Sequence, residues 1–209
     1  MQYTQYTAHP WHGIPVGDNA PDVVNAFIEI VPTDTVKYEI DKESGFLKID
    51  RPQKYSNVLP CMYGFIPQTY CGNAVGAYCT ARTGRPGITG DGDPLDVCVF
   101  TERNIPHGNI IVPAKLIGGF RMIDGGQADD KLIAVLPFDE IYSSWDDVDH
   151  MPESLRERLR HYFLTYKAMP GMPNKAEITH IYNRGEAHRV LEAAIRDYAG
   201  LSRSGPTDH

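Results

Sequence analysis

A basic excess is missing from this 209-residue sequence, in which 20 Lys and Arg stand against 27 Asp and Glu for a formal charge of −7. Nucleic-acid binders carry a positive patch or stripe, so no nucleic-acid partner is expected. Long apolar runs are also missing. No stretch approaches the roughly 18 apolar residues of a membrane span, and no membrane partner is expected. The start, Met1 to Tyr6, has neither the basic opening nor the apolar centre of a signal peptide. The four cysteines, Cys61, Cys71, Cys79 and Cys98, form no C-x-x-C pair. That spacing excludes a zinc-finger site, and so few cysteines in a chain of this length make no disulfide framework. A cytoplasmic protein with reduced thiols is the expectation. Internal repeats and low-complexity tracts are absent as well.

What remains is an ordinary globular composition, 42% apolar and 22% charged, of a length that fits one domain over residues 1–209. Residues 1–24 are rich in turn formers and read as an irregular arm. Strands are expected at 26–31, 35–41, 46–50, 97–101, 110–117, 131–136 and 177–182. In the second of these Val36, Tyr38 and Ile40 share one face and Lys37 and Glu39 the other. Two helices follow. One opens at Pro152-Glu153 and places Leu155, Leu159, Tyr162, Phe163 and Tyr166 on one face; the other groups Val190, Leu191, Ala194, Ile195 and Tyr198, with Gly200 as its stop. Short strands followed by two helices predict a mainly-β α+β fold, a small closed OB-like five-stranded barrel with both helices packed outside. The Gly-rich stretch 71–90 reads as a loop insertion.

The chemistry concentrates in Asp91-Gly92-Asp93-Pro94-Leu95-Asp96, where three carboxylates fall within six positions just before an apolar run. Hard carboxylate oxygens suit hard divalent cations such as Mg2+. A calcium loop is a poor fit, because Pro94, Leu95 and Asp96 stand where that loop needs another acid and its Gly turn. A solvated acidic turn is the plain alternative. A second acidic group, Asp124, Asp129 and Asp130, also precedes an apolar strand, and two such clusters favour a joint site. Lys37, Arg51, Lys131 and Lys167 stand near predicted element ends, with Tyr63 and Tyr166. Singly each reads as a surface charge or a core aromatic; together they are the donors that phosphate oxygens need.

The D-G-D-P-x-D motif resembles the signature of soluble inorganic pyrophosphatases of the first family. The resemblance extends through Ile28-Glu29-Ile30, the run Lys37 to Gly45, Asp50-Arg51, Pro60 to Ile66, Asp124 to Lys131, and His161-Tyr162-Phe163 with Tyr166-Lys167. It spans about residues 26–168 in the family's order. It implies Mg2+-dependent hydrolysis of pyrophosphate, with Mn2+ as a substitute cation. By the same resemblance Asp91, Asp96 and Asp129 look like the principal metal ligands, with Asp124 helping, and Asp93 looks like the general base. Lys37, Arg51, Tyr63, Lys131, Tyr166 and Lys167 look like the phosphate-binding set. Glu29 and Glu39 resemble acids that bind metal through water or orient neighbours. A homohexamer is implied by the prokaryotic members. Two departures stand out: Leu59 lies where the family often has Tyr, and both the arm and residues 71–90 exceed the simple prokaryotic length. A metal phosphohydrolase acting on organic diphosphates or nucleotides and a non-catalytic barrel module are the competing readings. Residues 84–90 lack the Lys-Ser/Thr ending of a P-loop, and the acidic charge speaks against the module.

Overall fold

The computed structural model describes residues 8–54, 56–167 and 175–201. Its centre is a ring of five strands. β1 (Val23–Ile30) pairs antiparallel with β4 (Met62–Phe65), which pairs antiparallel with β6 (Asp96–Phe100). β6 runs parallel to β9 (Lys131–Val135), β9 runs antiparallel to the long β7 (Ile110–Asp124), and β7 returns antiparallel to β1. Closing a sheet on itself removes its exposed edges, and the OB-like expectation holds. β2 (Val36–Ile40) and β3 (Leu47–Pro52) form a separate antiparallel hairpin. β10 (Ala176–Asn183) adds to β7, as does the short β8 (Gln127–Ala128), which also pairs with β5 (Thr89–Gly90).

Strand alternation sorts the side chains into two apolar layers. Val24, Met62, Val97, Leu116 and Leu132, one from each ring strand, belong to one cluster that fills the ring and extends to Val75, Val190 and Leu191. The alternate residues Cys98, Phe100, Phe120 and Ile133 belong to a second cluster, capped by Leu159, Tyr162 and Phe163 of helix α2 (Glu153–Thr165). The two layers are the physical reason for the near-continuous apolar runs of β6 and β9: these strands are covered on both sides.

Among the described residues three α-helices pack on the ring, one more than expected. Residues 71–90 are not a loop insertion. They hold helix α1 (Asn73–Thr83), ended by Gly84 in the left-handed region, and then β5. The helix has no acidic residue in its first turn and no side-chain cap of its own. Asp197 of helix α3 (Arg184–Leu201) supplies it, accepting from the backbone N–H groups of Gly72, Ala74 and Val75 at 2.9–3.0 Å. Gly76 lets β5 cross the helix closely, since a Cβ there would meet Gly90 N and Ile88 O at 2.9 Å. β7 runs to Asp124 rather than ending at 117, absorbing Gly118 through a register shift next to it. The α3 helix likewise continues one residue past Gly200. The arm carries no helix or strand over residues 8–22, and Trp11 anchors it in a small cluster with Phe27, Ile40 and Phe65. Residues 1–7 of the arm lie outside the described residues.

Candidate active site

The acidic motif is a turn hooked onto its neighbour. Gly92 takes φ +82°, a conformation that L side chains rarely adopt, and its N–H donates to Cys71 O at 3.0 Å. The Cys71 N–H donates to Asp93 O at 2.8 Å, and the Leu95 N–H donates to Thr69 Oγ1 at 2.9 Å. Asp91 accepts from the Asp93 N–H at 3.0 Å. The backbone of the turn is thereby fixed while its carboxylates face a cavity of about 230 Å3. Asp91, Asp93 and Asp96 reach it from this turn and the start of β6, and Asp124 and Asp129 from the end of β7 and the approach to β9. Lys37 and Glu39 come from β2, Glu29 from β1, Tyr63 from β4, Lys131 from β9, and Tyr166 and Lys167 from the end of α2. Every residue to which the resemblance gives a role lines the cavity except Arg51; Asp130 of the second acidic group does not reach it and pairs with Arg121 instead. Arg51 stands beside the cavity, its guanidinium 5.6 Å from the centre of the Tyr166 ring.

Seven carboxylates and four lysines line this space. Lys131, almost fully buried, contacts both Asp96 and Asp129. Burial alone would lower its pKa, but these two carboxylates hold it well above the usual lysine value. Lys37 pairs with Glu39 at 3.0 Å and Asp50 at 2.9 Å, and Lys167 with Asp124 at 2.6 Å. The remaining acids are crowded. Burial, and then the Asp129 charge, push Asp91 up to about 8. Burial pushes Glu29 up to about 8 although its carboxylate accepts from the Ile40 N–H at 2.7 Å. Asp129 is also raised, first by burial. Among the described residues no three His, Cys, Asp or Glu side chains are already gathered as a metal cage; lysine ammonium groups stand between the acids.

Sequence reasoning passed over Lys42. Its ammonium contacts the Asp93 carboxylate, and it lines the cavity. It sits just past the end of β2, where strand alternation no longer predicts a direction. Gln127, Tyr162 and Phe163 also line the wall; the two aromatics belong at the same time to the apolar face of α2. Leu59 is buried in the cluster under α2, so apolar packing occupies the place where the family often carries a Tyr.

The sequence pattern of the family described as inorganic pyrophosphatase matches residues 26–199. The chain belongs to the inorganic pyrophosphatase family. Membership makes it a hydrolase of the diphosphatase class. Its relatives include the inorganic pyrophosphatase of Chlamydia muridarum, 48% identical over 198 residues that cover 92% of this chain and 95% of that one. That of Chlamydia caviae is 49% identical over 195 residues, covering 91% and 90%. Among solved structures, the inorganic pyrophosphatase from Thermus thermophilus superposes with a TM-score of 0.77 at 29% identity, covering 93% of this chain and all of that one (100%). The Helicobacter pylori family member gives 0.73 at 32% identity, covering 90% and 99%. No helix among the described residues is long and apolar enough to cross a membrane.

Proposed function

We propose that the chain hydrolyses inorganic pyrophosphate to two phosphates in a Mg2+-dependent reaction, by direct in-line attack of water and without a covalent enzyme intermediate. The observation that carries the reading is the convergence of Asp91, Asp93, Asp96, Asp124 and Asp129 on one cavity that also holds four lysines. The donor set fits a hard cation: it is all oxygen, it outnumbers the lysines, and burial, followed by crowding among the carboxylates, pushes two of its acids up to about 8. Asp91, Asp96 and Asp129 would hold Mg2+, with Asp124 assisting and Glu29 and Glu39 orienting the donors; Mn2+ fits the same ligands. Bound Mg2+ supplies charge neutralisation of the substrate and makes nearby water more acidic.

The chain's own residues do the rest. Asp93 faces the cavity and takes the proton of the attacking water. Lys42, in contact with Asp93, keeps that carboxylate positioned. The phosphate oxygens go to Lys37, Lys131, Lys167, Arg51, Tyr63 and Tyr166. Arg51 is equipped for this, since its Nη2 is buried and has no hydrogen-bond partner among the described residues. Lys131 contacts Asp96 and Asp129, and would be available to a phosphate oxygen where those two carboxylates held the cation. Transfer straight to water needs no nucleophilic side chain, and the thiols of Cys61 and Cys71 are pushed far from reactivity by burial.

We read the chain as one domain acting in the cytoplasm as a homo-oligomer, a hexamer by the family's habit. Its four free thiols support the compartment. Phosphate release with pyrophosphate and with ATP, each with Mg2+ and with EDTA, tests the activity. Rapid Mg2+-dependent cleavage of pyrophosphate with little of ATP is expected. Equal cleavage of ATP would instead indicate a broader phosphohydrolase.

A further inference from the structure

Among the described residues the largest fully buried side chain is a cation outside the cavity, Arg121 on β7. Its Nε donates to Asp130 Oδ2 at 3.0 Å and its Nη2 to Glu186 Oε1 at 3.0 Å. Its guanidinium lies 5.1 Å from the centres of both the Tyr78 and Tyr182 rings. The Tyr182 hydroxyl donates to Asp130 Oδ2 at 3.1 Å. Glu186 in turn takes two hydrogen bonds from Arg82, at 3.0 and 2.7 Å. The cluster joins α1, α3, β7 and β10 to one residue, Asp130, on the approach to β9.

Stability alone is a poor account of this cluster. Ion pairs out of water are often no better than apolar residues of similar volume, because desolvation offsets their attraction. Here Arg121 Nη1 and Asp130 Oδ1 also have no hydrogen-bond partner among the described residues, so that cost is only partly offset. The position of Asp130 suggests another role. Phe120 pairs with Lys131 across the β7–β9 ladder, and the Asp129 N–H donates to Met122 O at 3.0 Å. This register sets Arg121 opposite Asp130, on the same face of the sheet. Successive residues of an extended strand point to opposite sides. Asp129 and Lys131 therefore face the cavity while Asp130, between them, faces the buried cluster. Holding the middle side chain by directed hydrogen bonds fixes the rotation of the strand about its axis, and with it the reach of both neighbours.

We propose that Arg121 is a positioning residue. Through Asp130 it sets the placement of Asp129 and Lys131, and so the Mg2+ affinity of the site, with Tyr182 and Glu186 as its supports. The inference rests on the Mg2+ reading above. Its physical basis is general: groups that orient metal ligands from behind change metal affinity on the order of 10–100-fold when removed.

The test replaces the pair together, Arg121→Met with Asp130→Leu, which leaves the net charge unchanged and keeps apolar volume in place. Glu186 retains Arg82. Mg2+ binding is measured by titration calorimetry without substrate, beside the melting temperature. The expected result is Mg2+ affinity weakened by about 10–100-fold with the melting temperature near that of the wild type. Wild-type Mg2+ affinity in the double variant overturns the proposal, and does so whether or not the melting temperature drops. A double variant that does not fold is replaced by Asp130→Asn, which keeps the shape and an acceptor for Tyr182; undiminished Mg2+ affinity there overturns the proposal equally. A wild-type protein that binds no Mg2+ refutes the underlying metal reading and takes this inference with it, and that control separates the two failures.

Discussion

Removing the metal should leave a protein that loses stability as pH rises. Glu29 and Asp91 are both pushed up to about 8. In the unfolded chain such acids shed their protons near pH 4. Between about pH 4 and 8 the folded state thus binds protons that the unfolded state has lost. The stability contributed by protonated Glu29 and Asp91 is fully present below about pH 4 and is lost as pH climbs through their folded values. Each group changes stability by about 1.4 kcal/mol per pH unit in that window. Two groups over two pH units, from about pH 5 to 7, give roughly 5 kcal/mol at most. For a chain of this size that corresponds to roughly 10–20 °C in melting temperature. On the proposed reading Mg2+ would bind the ionised carboxylates, so its stabilising effect should grow over the same window. At a hundred times its dissociation constant it returns about 2.7 kcal/mol. The assay is thermal melting from pH 5 to 8, in EDTA and in Mg2+, with Glu29→Gln as a control whose metal-free slope should be shallower. A Mg2+-induced shift that is flat across this range, or a Glu29→Gln variant with an unchanged slope, would refute the reasoning.

Three substitutions probe separate parts of the structure. Asp197→Ala takes the acceptor away from three N–H groups at the start of α1; it should cost about 1–2 kcal/mol, read as a lower denaturation midpoint, and an unchanged midpoint would dismiss the long-range cap. Asp139 accepts from the N–H groups of Glu102, Ile141 and Tyr142 and the Thr101 hydroxyl. Burial works to raise its pKa, but these bonds prevail and lower it, so its stabilisation is present above about pH 4 and fades as pH falls further. Asp139→Ala should destabilise by about 1–3 kcal/mol at neutral pH while each folded molecule keeps its activity, measured by urea melts beside turnover. Lys42→Met removes the cation that contacts Asp93 and should lower kcat more than it raises KM; steady-state kinetics showing only a KM change would make Lys42 a substrate contact instead.

Much of the site could be read from local spacing. The acidic turn carries its own Gly and Pro, and β2 alternates cleanly enough to put Lys37 and Glu39 together on one side. Helix α2 announces itself through Leu159, Tyr162 and Phe163 at helical spacing. What escaped depends on partners distant in the chain. Helix α1 has mostly small apolar residues with no pronounced apolar face, and it is capped by Asp197, more than 120 residues away, so its own segment looks like a Gly-rich loop. The strand β4 lies in a stretch bounded by Pro60 and Pro67, where the turn formers mask the pairing to β1 and β6. Lys42 escaped because it follows the last residue of its strand. Arg121 lies beyond the expected end of its strand at 117, and only the β7–β9 register brings it opposite Asp130.

The most direct measurement is phosphate release from pyrophosphate by the wild-type chain and by Asp93→Asn, each with saturating Mg2+ and with EDTA. Turnover should be rapid in the wild type with Mg2+ and nearly absent with EDTA. In Asp93→Asn it should fall by about 10²–10⁴-fold, as expected for loss of a general base, with pyrophosphate still bound. Metal-independent cleavage, or an Asp93→Asn variant that keeps most of the wild-type rate, would contradict the account.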